Sequence, residues 1–352
     1  MKSKYLQEDM VVLADTIHEL GFGGSTLLVT GATGLIGSLC VRAAVEHNRQ
    51  YKEPVSVIAM VRSEEKAKRM FDDELSEAGA IPHVRYLIHD IMKPLPDALV
   101  CDYIIHTANS TSSKFFITNP VDVIESIYLG TKNVLSYAAQ HPVSGVVYLS
   151  SMEVYGRVDT DVRVHEDDLG YLDIQNVRSC YSEGKRHAEL LCKCYAVQHS
   201  VPVTVARLAQ TFGAGIPATE NRVFAQFARS AIQGENIVLH TKGLSVGNYC
   251  YTRDTVRALF LLLKRGERGE SYNVVNEETT RTIADMAKMV AEKFSNGRSQ
   301  VVFDIPEGNE YGYAPDTQLR LCADKIKALG WQAKVGLEEM YKRMIPDLQA
   351  VK

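Results

Sequence analysis

The chain has 352 residues, of which 45% are hydrophobic and 23% are charged, and its formal net charge is −4. This length allows one large core with a smaller second lobe. The chain has no run of like charge, so we expect neither a nucleic acid nor a membrane surface as a partner.

The first ten residues, MKSKYLQEDM, carry acidic side chains where a secretory signal needs an apolar stretch. Other apolar runs, such as residues 258–263, are too short to cross a bilayer. We therefore expect a cytoplasmic protein. The seven cysteines are scattered, with only Cys192 and Cys194 close together, which favours free thiols over a zinc site, and no metal is expected.

Short apolar runs alternate with segments of helical periodicity after a leading helix, which is predicted within residues 1–24. The predicted elements are strand 26–30, helix 35–47, strand 55–61, helix 64–71, strands 84–88 and 102–106, helix 121–139, strand 145–150, helix 181–199 and strand 202–206. This alternation predicts an α/β fold, a doubly wound parallel sheet with helices on both faces.

Three glycines, Gly31, Gly34 and Gly37, stand between the first predicted strand and helix 35–47. Such a turn lets the backbone approach a phosphate, which the N–H groups of the helix N-terminus attract. With strand before and helix after, a cofactor site is favoured over a turn that only packs a helix on a strand. The residues expected to contact the cofactor here are Gly31, Thr33, Gly34, Leu35, Ile36 and Gly37.

With Val29 and Thr30 before it, this turn resembles the TGxxGxxG turn of extended short-chain dehydrogenases/reductases, the group that contains nucleotide-sugar epimerases and dehydratases. The resemblance implies a Rossmann-type domain over residues 25–207, preceded by a helical extension at 1–24. Residues 208–352 are then mainly a smaller substrate-binding region, with helix 222–232, strand 237–240 and helix 282–294, while helix 253–265 packs back on the Rossmann domain.

The second strand ends in Arg62 and Ser63, where a NAD enzyme usually offers an acidic residue to the ribose. These side chains suit a 2′-phosphate and favour NADP weakly. They are about equally well explained as polar residues that start a helix, so NAD and NADP both stay open. The resemblance places Asp90 and Ile91, after the third strand, near the adenine, although Asp90 could equally be a cap.

The fourth strand leads into a Ser/Thr-rich loop that a doubly wound sheet places at its ligand-binding edge. Thr107 and Ala108 are expected to contact the cofactor there, and Ser110 the substrate. Residues 106–138 resemble the corresponding family segment. One departure is Ile127, which stands where the family usually has Asn.

Ser151 ends the fifth strand, and Tyr181 and Lys185 follow four residues apart, a spacing that puts both on one helix face. The lysine ammonium, with a positive nicotinamide ring, is expected to favour the phenolate, so that Tyr181 takes a proton from a substrate hydroxyl shared with Ser151. The glycine turn, the serine at the strand end and the helix together favour a catalytic role for Tyr181 over a role in packing alone.

Residues 178–189 are similar to the matching segment of UDP-glucuronate decarboxylases, and residues 151–156 resemble both theirs and that of nucleotide-sugar 4,6-dehydratases. These enzymes oxidise the sugar C4 first. The resemblance implies that Glu153 assists the second step, at C5. The alternative is that Glu153 is a solvated loop residue.

Four further residues are expected on the substrate side by the same resemblance: Arg178, Gln210, Arg222 and Arg320. Each arginine could instead be a surface residue. Two departures separate the chain from both neighbours, since the family's substrate-side Arg falls on Gly247 and the dehydratase's general-acid Asp falls on Met152.

The chemistry predicts an enzyme with tightly bound NAD or NADP that oxidises C4 of a nucleotide sugar and then epimerises, dehydrates or reduces it, as a homodimer. One alternative is a UDP-glucuronate decarboxylase. Another is a non-catalytic NAD(P)-sensing or scaffold protein on the same fold. The presence of Ser151, Tyr181 and Lys185 together favours the enzyme.

Overall fold

The computed structural model of the chain describes residues 3–77, 79, 83–158, 162–217, 219–307 and 316–349. The described helices are α1 (Lys4–Glu19), α2 (Leu35–Gln50), α3 (Glu64–Glu77), α4 (Ser113–Thr118), α5 (Pro120–Gln140), α6 (Ser179–Gln198), α7 (Val223–Gln233), α8 (Thr252–Arg265), α9 (Ile283–Phe294), α10 (Asp324–Ala328) and α11 (Leu337–Gln349). The described strands are β1 (Thr26–Thr30), β2 (Ser56–Val61), β3 (Val84–Ile88), β4 (Tyr103–His106), β5 (Gly145–Ser151), β6 (Val203–Leu208), β7 (Gln210–Phe212), β8 (Ile237–Leu239), β9 (Val246–Tyr251), β10 (Ser271–Val274), β11 (Asn276–Thr282) and β12 (Val301–Phe303).

Seven strands form one parallel sheet in the order β10-β6-β5-β4-β1-β2-β3. The predicted doubly wound fold is confirmed. The strand order reverses between β1 and β4, where Thr30 pairs with His106, and a crevice at such a point is where ligands bind in these sheets.

Both faces of the sheet are covered. One apolar core lies under α2, α3 and α8, and the other lies under α5 and α6. Helix α1 lies outside the sheet and packs on α2 and α8 through its buried stripe, which includes Leu13 and Ile17. Each such side chain contributes about 1.5–3 kcal/mol when fully buried.

A buried carboxylate also fastens α1 to the C-terminal half. Asp9 accepts hydrogen bonds from the Tyr251 hydroxyl (2.5 Å), Arg253 (3.3 Å) and Arg343 (3.3 Å), which come from the end of β9, from α8 and from α11. Burial raises the pKa of Asp9 to about 6, and these partners act in the opposite direction. The helical extension is thus part of the fold's interior.

The rest of the chain forms a three-stranded sheet, β11-β9-β7, and the pair β12-β8, packed with α7, α9 and α11. Two elements beyond residue 207 belong to the main sheet instead: α8 packs on β5 and β6, and β10 pairs with β6. The sequence pattern did not predict β10, because its four residues are too few to show a period.

No helix in the described part of the chain is long and apolar enough to cross a membrane. The seven cysteines are all free, and Cys194 is the exposed one. Three potential metal ligands, Glu277, Cys322 and Asp324, lie together in the smaller region. The Glu277 carboxylate is already neutralised there by two cations, Lys327 and Arg163, which leaves no reason to propose an ion.

Candidate active site

The glycine turn is packed against its own backbone. Gly31 has a φ of +64°, in the left-handed region, and a Cβ there would lie 2.8 Å from the Thr107 hydroxyl oxygen. A Cβ on Gly37 would lie 2.4 Å from the Gly31 carbonyl oxygen. Both positions therefore require glycine for the turn to close this tightly.

Gly34 differs, because it is exposed and stands at the N-cap of α2 without a side-chain cap. Thr33, Leu35 and Ile36 lie beside it, partly buried. An uncapped helix N-terminus behind an exposed glycine suits the diphosphate of a dinucleotide, so the residues present fit this cofactor.

A hydrogen-bond cluster fixes the loop after β4 to this turn. The Thr107 hydroxyl donates to the Thr30 carbonyl oxygen (2.7 Å), while the Thr107 and Ala108 N–H groups donate to the Thr30 hydroxyl oxygen (3.1 and 3.2 Å). Ser110, further along the loop, is partly buried. The predicted cofactor residues of β4 and of the glycine turn thus lie together.

Thr30 also determines the state of a buried histidine. Because its hydroxyl oxygen accepts two bonds, its proton goes to Nδ1 of His106 (2.8 Å), which leaves the His106 proton on Nε2, facing the Thr131 hydroxyl (3.5 Å). Burial and the charge of Lys185 lower the pKa of His106 to about 3. The ring is neutral near pH 7 and acts as a fixed link between β1, β4 and α5.

The structure places the remaining predicted cofactor residues at the ends of β2 and β3. Arg62 and Ser63 are exposed, and the Ser63 hydroxyl accepts from the Lys66 N–H at the start of α3, which fits a helix-starting role. Asp90 accepts from Met92 N–H in a local turn, and the buried Ile91 offers its carbonyl to Asn133. The assignment of Arg62 and Ser63 to a 2′-phosphate of NADP stays a prediction.

The predicted catalytic residues lie together at the carboxyl end of β5. Tyr181 is 6% exposed and Lys185 is 2% exposed, both on α6. The Ser151 hydroxyl is close enough to the Tyr181 phenol to lower its pKa. Lys185 Nζ donates to the Leu149 carbonyl oxygen (2.6 Å) and lies 4.6 Å from the Tyr148 ring centroid.

Burial dominates the electrostatics of this group. It raises the pKa of Tyr181 above the usual range, helped by the Glu153 charge and opposed by Ser151, Arg222 and Arg178. It also lowers the pKa of Lys185 to about 7. The prediction that Lys185 favours the phenolate of Tyr181 is therefore incomplete. Desolvation disfavours the charged form of Lys185, which was expected to supply the positive charge.

An aromatic stack covers the tyrosine. The Phe116 ring lies parallel to the Tyr181 ring, with centroids 4.3 Å apart and an interplanar angle of 13°. The Arg178 guanidinium lies 5.8 Å from the Phe116 centroid. The Cys180 thiol donates to the Phe116 carbonyl oxygen (3.4 Å), and this bond links the short helix α4 to α6. Sequence reasoning missed Phe116, since it lies in a segment interpreted as loop.

Glu153 is held by side chains of the α6 segment. Arg178 donates to both carboxylate oxygens, at 2.8 Å to Oε2 and 3.2 Å to Oε1, and the Ser182 hydroxyl donates to Oε2 (3.2 Å). The Glu153 N–H in turn donates to the Ser151 hydroxyl oxygen (3.2 Å). Glu153 is therefore no solvated loop residue.

The other predicted substrate residues are placed as follows. Gln210 is partly buried, and its Oε1 has no hydrogen-bond partner among the described residues. Arg222 pairs with Glu220 (2.7 Å), although its charge still reaches Tyr181. Arg320 donates to Gln318 (3.3 Å). A Cβ on Gly247 would have 4.0 Å to its nearest neighbour, so this position offers space.

Comparison with known families agrees with this geometry. The profile of the NAD dependent epimerase/dehydratase family matches residues 27–276, from β1 to the start of β11. The chain belongs to this family. The resemblance seen in the sequence is confirmed, and the protein is an enzyme of the NAD dependent epimerase/dehydratase family.

Relatives within the epimerase/dehydratase family include UDP-glucuronic acid decarboxylase 6 of Arabidopsis thaliana, which is 30% identical over 92% of this chain and 88% of that protein. Many solved structures share the fold, and two of them serve as examples. UDP-glucose 4-epimerase of Thermotoga maritima, solved with UDP-glucose, has a TM-score of 0.75 and 22% identity over 92% of this chain and 99% of its own. dTDP-glucose 4,6-dehydratase of Bacillus anthracis, solved with NAD, has a TM-score of 0.73 and 18% identity over 93% and 97%.

Proposed function

We propose that the protein oxidises the C4 hydroxyl of a nucleotide-linked sugar, with Ser151, Tyr181 and Lys185 as its catalytic residues. The observation that carries this proposal is the position of Lys185, whose Nζ lies 5.8 Å from the Tyr181 ring centroid and donates to the Leu149 carbonyl oxygen (2.6 Å) on the strand that ends in Ser151. All three lie at the sheet edge that also holds the glycine turn. The nucleotide sugar is supported by the substrates in the relatives' names.

The protein's own groups manage the proton. The Ser151 hydroxyl orients the substrate hydroxyl, and Tyr181 Oη accepts its proton as the C4–H bond breaks. When bound, the nicotinamide ring supplies the acceptor for the hydride. The protein groups by themselves favour a protonated Tyr181, and the positive charge of a bound nicotinamide ring would favour loss of the proton.

The cofactor would be held by the N-terminus of α2 and by Thr107 and Ala108 at the end of β4. The family's name and the NAD in a related structure favour NAD as the cofactor. Arg62 is the feature that favours NADP. We expect the cofactor to bind tightly. In this reaction class the C4 ketone is transient, so the cofactor that carries the hydride must stay in the site until the second step.

The test is Tyr181→Phe, with Tyr171→Phe as control because Tyr171 is an exposed tyrosine. The wild-type protein and the control should reduce bound cofactor when mixed with a panel of UDP-, dTDP-, CDP- and GDP-hexoses. Tyr181→Phe should bind cofactor normally and turn over roughly 10²- to 10⁴-fold more slowly. Near wild-type turnover by Tyr181→Phe contradicts the mechanism. Cofactor binding by the wild-type protein without turnover of any sugar supports the non-catalytic alternative.

A UDP-glucuronate decarboxylase is the second candidate, favoured by the 30% identical relatives. A uronate needs a cation to hold its carboxylate. Gly247 offers none, Arg178 is paired with Glu153, Arg222 is paired with Glu220, and Arg320 donates to Gln318. We therefore propose a neutral hexose. Rapid formation of a UDP-pentose from UDP-glucuronate, detected by mass, would make the decarboxylase the better proposal.

We further propose a cytoplasmic homodimer. Helices α4, α5 and α6 expose large apolar side chains, which a second copy of the chain could cover. These residues are Ile117, Val121, Ile124, Leu190 and Val197. Leu190→Glu should convert the dimer to a monomer in size-exclusion chromatography with light scattering. A monomeric wild-type protein removes this proposal.

A further inference from the structure

The arrangement around Glu153 assigns a role to Arg178 that differs from the substrate contact expected from the sequence. We propose that Arg178 is a positioning residue, which fixes the Glu153 carboxylate so that its Oε1 atom removes a proton from the sugar carbon next to the oxidised C4. This inference rests on the function proposed above.

The first step is the number of bonds that hold Glu153. A carboxylate offers about four lone-pair directions. Oε2 accepts from Arg178 (2.8 Å) and Ser182 (3.2 Å), whereas Oε1 accepts only from Arg178 (3.2 Å) among the described residues. One lone pair, on Oε1, is left for a substrate proton.

The second step is the rigidity of the holder. Arg178 grips both oxygens, and such a two-point contact fixes the plane of the carboxylate, which a single charge does not. The guanidinium is itself placed by the Phe116 ring, and Phe116 lies against Tyr181. The base for the second step is thus positioned through the same stack that positions the acid/base of the first.

The third step is distance to the chemistry. The Glu153 charge acts on the Tyr181 phenol, and the Glu153 N–H donates to the Ser151 hydroxyl. The Glu153 carboxylate also accepts from the hydroxyl of Ser182, the residue that follows Tyr181, so we place it within reach of the carbon next to C4 in the same sugar ring. Because the Arg178 guanidinium is already paired with Glu153, it does not require an anionic group of the substrate as its partner.

The step balances within the sugar and the carboxylate. Once C4 is a ketone, the C5–H bond breaks, the proton moves to Glu153 Oε1, and the electron pair forms an enolate with the C4 carbonyl. Returning the proton to either face of C5 and the hydride to C4 completes an epimerisation. Alternatively, the C6 hydroxyl leaves as water with the proton from Glu153, and return of the hydride to C6 completes a dehydration. Neither outcome needs a further oxidant or reductant.

The experiment separates two phases in a single turnover in D₂O. The hexose that reduces cofactor with the wild-type protein is used as the probe. Cofactor reduction, read by absorbance, reports the first phase, and deuterium at C5, read by mass, reports the second. Arg178→Ala should slow deuterium uptake by roughly 10- to 100-fold, the value of a charge-assisted hydrogen bond. Cofactor reduction should slow by clearly less, because the Arg178 charge is only one of several influences on the Tyr181 phenol.

Three further variants sharpen the result. Arg178→Lys should recover part of the deuterium uptake, and guanidinium ions added to Arg178→Ala should recover more, which a purely structural arginine would not show. Glu153→Gln should lose the second phase by roughly 10²- to 10⁴-fold. Lys193→Ala, which removes an ion pair between Lys193 of α6 and Glu270, should change neither phase.

The outcomes are separable from those of the proposed function. An equal loss of both phases in Arg178→Ala, or a raised KM with both phases intact, overturns the positioning role. Cofactor reduction without deuterium uptake in the wild-type protein overturns it too, and leaves C4 oxidation standing. Failure of every hexose to reduce cofactor removes the proposed function and this inference together.

Discussion

The exposed glycine of the turn offers a direct test of the cofactor site, because its replacement separates ligand approach from folding. In Gly34→Ala, the new Cβ meets only the Gly31 carbonyl oxygen, at 3.2 Å, and the backbone conformation suits any residue. Alanine is a poorer N-cap than glycine, so we expect the free energy of unfolding to fall by about 0.5–1 kcal/mol. The added methyl group faces the approach to the helix N-terminus. We expect NAD affinity to fall at least about tenfold, or about 1.4 kcal/mol.

Gly336→Ala is the matched control. Gly336 also stands directly before a helix, α11, and a Cβ there meets nothing within 4 Å. It should show the same small loss of stability and normal NAD binding. Both quantities come from urea unfolding and isothermal titration with NAD. Unchanged NAD affinity in Gly34→Ala would refute the assignment of this turn to the cofactor.

Gly37→Ala gives the complementary case. Its Cβ would lie 2.4 Å from a backbone oxygen, so the turn itself has to move. Overpacking of this kind costs about 1–3 kcal/mol, against a gain of about 1 kcal/mol in helix propensity. We expect lower stability and lower NAD affinity together, the signature of a displaced turn.

Two predictions concern other parts of the molecule. Arg62→Ala should weaken NADP binding more than NAD binding in the same titration, since only NADP offers a 2′-phosphate, and equal losses would leave Arg62 a surface residue. The pKa of Asp9 is raised to about 6 from 3.8, so the stability that its protonated form contributes is fully present below about pH 4 and lost as the pH rises through 6. The unfolding free energy of the wild-type protein relative to Asp9→Asn should therefore fall by up to about 3 kcal/mol across that window, and a constant difference would contradict the shift.

The sequence predicted well those features that local spacing controls. The glycine turn follows from strand, turn and helix signals within sixteen residues, and Tyr181 and Lys185 share a face because a helix repeats every 3.6 residues. Parallel strands bring their carboxyl ends to one edge, so Ser151 could be placed near them without coordinates. Their roles stay predictions.

The sequence could not predict which partner a charged side chain chooses. Arg178 contacts Glu153, 25 positions earlier, and Asp9 contacts Arg343, 334 positions later. Those choices depend on how the elements pack, not on spacing. The stacking of Phe116 on Tyr181 and the burial that lowers the pKa of Lys185 to about 7 are likewise products of tertiary packing.

The position of β10 has a consequence for synthesis of the chain. Strand β10 fills the edge of the main sheet beside β6, yet its residues, 271–274, leave the ribosome after the whole of β7, β8 and β9. Until then β6 presents an open row of N–H and C=O groups to other nascent chains. A fragment ending at residue 207 contains every proposed catalytic residue but lacks β10, so we expect it to aggregate through the unpaired edge of β6. Translation must pass β10 before the seven-stranded sheet beneath the cofactor site is complete.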